Sequence, residues 1–165
     1  MASGDTLATF YPADNEPPAS GYATLDTRNS HPVLDFDAGA TEAACFSFIL
    51  PRNYGGGGIT VYLHWGASSA TSGDVIWQSS FERVGDGSQD TDSDGFATAV
   101  TWSAQAAPGT SGHVVIGSQA HTNGAQIDSI AVGELCRLNI ERVGGNGSDT
   151  MTGDAELFAV ELKET

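Results

Sequence analysis

The chain has 165 residues, with 21 acidic side chains against six basic ones and a formal net charge of −15. That length suits one hydrophobic core, and that charge repels phosphate backbones and anionic lipid, so neither nucleic acid nor a membrane surface is expected as a direct partner. The acidity alone reads as a solubility device, or as the mark of a halophilic or marine source.

Residues 1–5 have no basic start and no apolar run, and no stretch approaches a membrane span, so the sequence reads as a protein made in the cytoplasm without a signal peptide. Across residues 1–30, Pro12, Pro17, Pro18 and scattered small polar residues weaken any continuous strand. The expectation is an extended N-terminal arm, which either wraps its own domain or reaches a neighbouring subunit. Residues 31–165 then form one domain.

In that domain apolar residues recur at every second position, the period of a half-buried strand. Strands are expected over residues 33–36 and 45–50. Ile59, Val61, Leu63 and Trp65 then share one face, with Thr60, Tyr62 and His64 on the other. Val75, Trp77 and Phe81 repeat the pattern, followed by Phe96, Val100 and Trp102, by residues 113–120, by Cys136, Leu138 and Ile140, and by residues 155–162. Turn-formers separate them, at residues 55–58, 86–87, 108–109 and 144–149. The one helical signal, over residues 125–130, is too short to be architectural. Eight or more such strands predict an all-β antiparallel β-sandwich of jelly-roll type.

The sharpest local motif is Asp90-Thr91-Asp92-Ser93-Asp94-Gly95, which matches the opening of a calcium loop. The twelfth position is Thr101 where an EF-hand carries Glu, and strands flank the loop. Asp90, Asp92 and Asp94 are therefore candidates for a different calcium site, against the plainer reading of a solvated hairpin loop.

No histidine stands in metal-ligand spacing, and Cys45 and Cys136 lie inside apolar runs, where buried free thiols are expected and a disulfide between them is the alternative. No GxSxG elbow is present. Asp35 with Asp37 and Glu134 with Glu141 are the acid pairs to weigh for glycoside cleavage, although Asp35 and Asp37 share the solvent side of an ordinary strand. The expectation is that the protein is not an enzyme. The three tryptophans are in phase with their apolar rows and belong to the core. Tyr62 is out of phase, so Tyr62, Tyr54 and His64 are the candidates for glycan or interface contact.

Residues 50–65 (LPRNYGGGGITVYLHW), 133–142 (GELCRLNIER) and 148–157 (SDTMTGDAEL), with a weaker match over residues 32–37, resemble small β-sandwich structural proteins of tailed bacteriophages. These are the head-decoration, fibre and tail-associated proteins. The resemblance covers most of the chain past the arm and implies a virion protein without catalytic residues. Such a protein self-associates, with a trimer favoured, and docks on capsid or tail proteins of the same particle. The closing motif also has a direct physical account: Arg137 can pair with carboxylates across the sheet, while Arg142 reaches Asp149 or Asp154 and braces the last loop.

Two functions follow. The first is a capsid decoration protein. The alternative is a carbohydrate-binding module, or a glycan-binding fibre or tail domain of the virion, using Tyr62 or Tyr54.

Overall fold

The computed structural model describes residues 3–165. Among these described residues, twelve strands build an antiparallel β-sandwich of the jelly-roll type, as the period-two rows predict. They are β1 (Thr6–Phe10), β2 (Thr24–Arg28), β3 (His31–Phe36), β4 (Thr41–Ile49), β5 (Ile59–Ala67), β6 (Asp74–Val75), β7 (Trp77–Val84), β8 (Val100–Thr101), β9 (Gln105–Ala106), β10 (Val115–His121), β11 (Leu135–Val143) and β12 (Ala155–Glu164). One sheet runs in the order β10-β5-β12-β3-β2, with β1 also on β12, and the other in the order β4-β11-β7-β8. β6 and β9 form a small separate pair. The helical signal yields a single 3-10 turn, Ala125–Ile127.

The core follows from the phase of each strand. Ile59, Val61, Leu63 and Trp65 point inward from β5 and Leu138 and Ile140 from β11, and all six are fully buried. At the centre Trp77 meets Trp65 and Phe36 edge to face, with ring centroids 5.8 and 5.1 Å apart. Trp102 is buried as expected, but Phe96 is not in phase with it, because only Val100–Thr101 is strand in that region. Phe96 lies on the outside of the four-stranded sheet.

Residues 3–30 lie against the chain's own sandwich, the first of the two courses expected of the arm, but as paired strands rather than as an extended segment. β1 pairs with β12 and β2 with β3, while Leu7, Phe10 and Ala23 join the core. The three prolines fall between these strands, so they limit strand length without preventing pairing. Residues 15–23 then follow the free edge of β4: Asn15 Oδ1 accepts from the Cys45 N–H at 3.0 Å, and Gly21 O accepts from the Ala43 N–H at 2.8 Å. The segment from β1 onward is part of the sandwich.

Within the glycine run, Gly58 has φ of +101°, and a Cβ there would lie 2.5 Å from the His121 carbonyl oxygen. Only glycine fits that approach.

Candidate functional site

The outer face of the four-stranded sheet carries a recessed polar surface. On β11 the side chains that alternate with the core row are Arg137, Asn139 and Glu141. Register places Ser47 and Glu82 beside Arg137, Cys45 and Ser80 beside Asn139, and Ala43 and Gln78 beside Glu141. Three cross-strand rows thus form a floor roughly 10 Å wide, two interstrand spacings.

Two walls rise from this floor. On one side Pro18 and Ser20 line the recess, between the segment's backbone bonds to Cys45 and to Ala43 on the β4 edge. On the other side Phe96 stacks on the Arg137 guanidinium, 5.1 Å from ring centroid to Cζ. Together they enclose a groove of about 470 Å³.

The polar atoms of the floor are held in place. Arg137 pairs with Glu82 at 2.7 Å, the cross-strand carboxylate partner expected from its phase. Cys45 Sγ donates to Asn139 Oδ1 at 3.3 Å, which fixes the amide of Asn139. Gln78 Nε2 donates to Thr101 Oγ1 at 2.8 Å. Burial raises the Cys45 thiol above its ordinary pKa, so it stays protonated and keeps this donor role at neutral pH. Asn139 and Glu82 are only 8% and 6% exposed, although they point away from the core.

The residues singled out from sequence are distributed elsewhere. Tyr62 and His64 stand half-exposed on the outer face of the other sheet, where the Lys163 ammonium lies 5.8 Å from the Tyr62 ring centroid. Tyr54 is tied into the glycine loop: its hydroxyl accepts from the Gly58 N–H at 2.8 Å and donates to Asn123 Oδ1 at 3.4 Å.

Asp90, Asp92 and Asp94 lie in a turn in which Asp90 Oδ1 accepts from the Asp92 N–H at 3.1 Å and Asp94 Oδ1 from the Gly95 N–H at 3.0 Å. Among the described residues no three His, Cys, Asp or Glu side chains converge as a metal group. Glu134 is clamped by Arg83 through two contacts of 2.6 Å, which hold its carboxyl below the usual range. It shares no site with Glu141. The thiols of Cys45 and Cys136 are free and buried.

Arg142 is fully buried and forms a bidentate pair with Asp149, at 2.7 and 3.1 Å. It also donates to the carbonyls of Phe36, Met151 and Gly153. Asp154 is not its partner; that backbone N–H is held by Ser68 instead. Asp149 and Thr150 also reach across to β6, accepting from the N–H groups of Ile76 and Asp74.

No protein-family model matches the sequence, and no curated protein matches it significantly. Solved structures do. A carbohydrate-binding module (CBM6cm-2) of Cellvibrio mixtus lichenase 5A, solved with cellotriose, is similar over 98% of this chain and 99% of its own, with a TM-score of 0.50 and 12% identity. The CBM22-2 xylan-binding domain of Paenibacillus barcinonensis Xyn10C is similar over 92% of both chains, with a TM-score of 0.51 and 12% identity. PfGH50B gives a TM-score of 0.51 at 10% identity, over 98% of this chain but 24% of its own. The shared feature is the β-sandwich fold. None of the three is a phage structural protein, so the resemblance read from residues 32–37, 50–65, 133–142 and 148–157 gains no support from the fold comparison.

Arg137, Asn139 and Glu141 could be placed on one outward row from strand phase alone. Phe96 and residues 17–20 could not be recognised as walls, because the sequence does not show which loops return over that face.

Proposed function

We propose that the protein is a carbohydrate-binding module that holds a glycan chain in the groove across the four-stranded sheet. The floor carries the proposal. A sugar ring presents hydroxyls at its edge, each both donor and acceptor, and an apolar C–H face. Asn139, Glu141 and Arg137 supply planar polar groups that bind such edges in pairs, and Phe96 offers an aromatic surface beside them. The sandwich similar to modules that carry bound or named glycans supports the same reading. Binding alone, without turnover, is the expected activity.

The floor also defines the charge of the ligand. Glu82 already neutralises Arg137, Glu141 adds a negative charge and the chain carries −15 overall, so polyanionic glycans are disfavoured. The reading is the same whether the module is free or carried on a particle.

Affinity electrophoresis in gels containing xylan, mixed-linkage β-glucan, galactomannan or pullulan tests the proposal. Retardation by at least one polysaccharide is expected, with at least tenfold weakening in Asn139→Ala/Glu141→Ala. Unretarded migration in every gel would overturn it.

A further inference from the structure

The opposite sheet has an aromatic surface that folding does not use. β12 changes partners along its length: β3 pairs with its start, Ala155 to Leu157, and β1 with its end, Val160 to Lys163. Where the two partners diverge, the register with β5 shifts between Leu157 and Ala159. The extra residue is Phe158. A bulge of this kind redirects a side chain, and here the half-exposed phenyl ring lies over Gly66 on the outer face. A Cβ added at Gly66 would lie 3.5 Å from Phe158 Cε2.

The ends of the two diverging strands supply the neighbours. Tyr11, just past β1, is 60% exposed, and His31 opens β3. Phe158 and His31 form a ridge between two shallow depressions of about 320 and 410 Å³, both of which they line. Tyr11 borders the smaller. Arg28 and Asn29 border the larger, and the Arg28 guanidinium is oriented by Glu156, by the Ala67 carbonyl and by Ser111 Oγ, at 3.1 Å from Nη2.

We infer that this bulge-centred surface is a second glycan-binding site, holding a sugar ring against Phe158 and Tyr11 with Arg28, Asn29 and His31 around it. The inference rests on the proposed glycan-binding function but uses no residue of the groove. Aromatic faces bordered by hydrogen-bond donors match a ligand with an apolar face and a hydroxyl edge. A wholly apolar partner would desolvate Arg28, Asn29 and His31 without giving them partners, which is costly. With the two sites on opposite sheets, one molecule can engage two chains of a polysaccharide, and avidity follows from their linkage.

The test uses the full chain and whichever of xylan, mixed-linkage β-glucan, galactomannan or pullulan retards it, followed by calorimetric titration with an oligosaccharide of that polymer. Tyr11→Ala/His31→Ala removes two exposed side chains. Phe158→Leu keeps an apolar side chain at the bulge and serves as the independent variant. The expected result is two sites per chain, with residual binding in Asn139→Ala/Glu141→Ala that falls about tenfold further when Tyr11→Ala/His31→Ala is added, a factor equivalent to about 1.4 kcal/mol. One site per chain, abolished by the groove substitutions alone, overturns the second site and leaves the groove standing. Binding that neither set of substitutions changes overturns both locations, and no binding by the wild type overturns the glycan reading and this inference together.

Discussion

Arg142→Ala is the most informative perturbation of the scaffold. The guanidinium is fully buried, its partner Asp149 is 1% exposed, and three backbone carbonyls depend on the same group. Removing it leaves a buried carboxylate uncompensated, which costs about 3–5 kcal/mol. For a domain of this size each kcal/mol lowers Tm by about 2–4 °C, so a fall of about 6–20 °C is expected. Differential scanning calorimetry of wild type, Arg142→Ala, Asp149→Ala and the double variant measures both the loss and the coupling. The double variant is expected to lose less than the sum of the single ones, because the uncompensated charge is gone while the carbonyls of Phe36, Met151 and Gly153 remain unpaired. A single-variant shift under about 3 °C, or strictly additive losses, would refute the brace.

Buried His121 and half-buried Asp35 oppose each other in the pH dependence of stability. Burial lowers His121 from 6.5 to about 4, so the unfolded chain binds more protons between those values and His121 makes stability rise with pH across that window. Burial, then the neighbouring Glu156 and Asp26 carboxylates, raise Asp35 from 3.8 to about 6, so Asp35 makes stability fall with pH from about 3.8 to 6. Asp35→Asn is therefore expected to steepen the rise of Tm between pH 4 and 6.5 in a calorimetric series, and an unchanged slope would contradict the assignment. Gly58→Ala meets both the left-handed φ and the His121 carbonyl and is expected to cost about 1–3 kcal/mol, whereas Gly145→Ala, with open space at its Cβ, should stay within about 0.5 kcal/mol in the same denaturant titration. Equal effects at the two positions would remove the steric argument.

The sequence shows the sandwich because burial on one face imposes a period of two. Each of β4, β5, β7 and β11 carries that period, and their core rows are where it places them; in β12 the bulge at Phe158 moves the core row from Ala155 and Leu157 to Val160 and Leu162. β1 and β2 escape it for opposite reasons. β1 is five residues long between a polar start and a proline, and β2 has four exposed residues out of five, since it forms the edge of its sheet. Arg142 is legible because a basic residue in phase with an apolar row needs a buried partner. The choice of Asp149 over Asp154 is set by loop geometry that spacing does not show. The site is the least legible part, because its walls come from residues 17–20 and 96, distant in sequence from its floor.

The outer row of β11 is unusual for a solvated sheet face. Water satisfies polar groups on such a face at no cost, so nothing requires them to be buried. Yet Asn139 and Glu82 are more than nine-tenths buried on the side away from the core, and burial of polar groups is tolerated only with partners. Glu82 has Arg137 and Asn139 has the Cys45 thiol, each partner anchored in the sheet. A face that served only solubility would need neither the recess nor these fixed orientations. A floor that must present amide, carboxylate and guanidinium groups at set angles to a ligand needs both, because side chains already oriented lose less freedom on binding. The covered outer row is therefore the structural reason to look for a ligand on this sheet, and Asn139 is the side chain whose loss should be felt first.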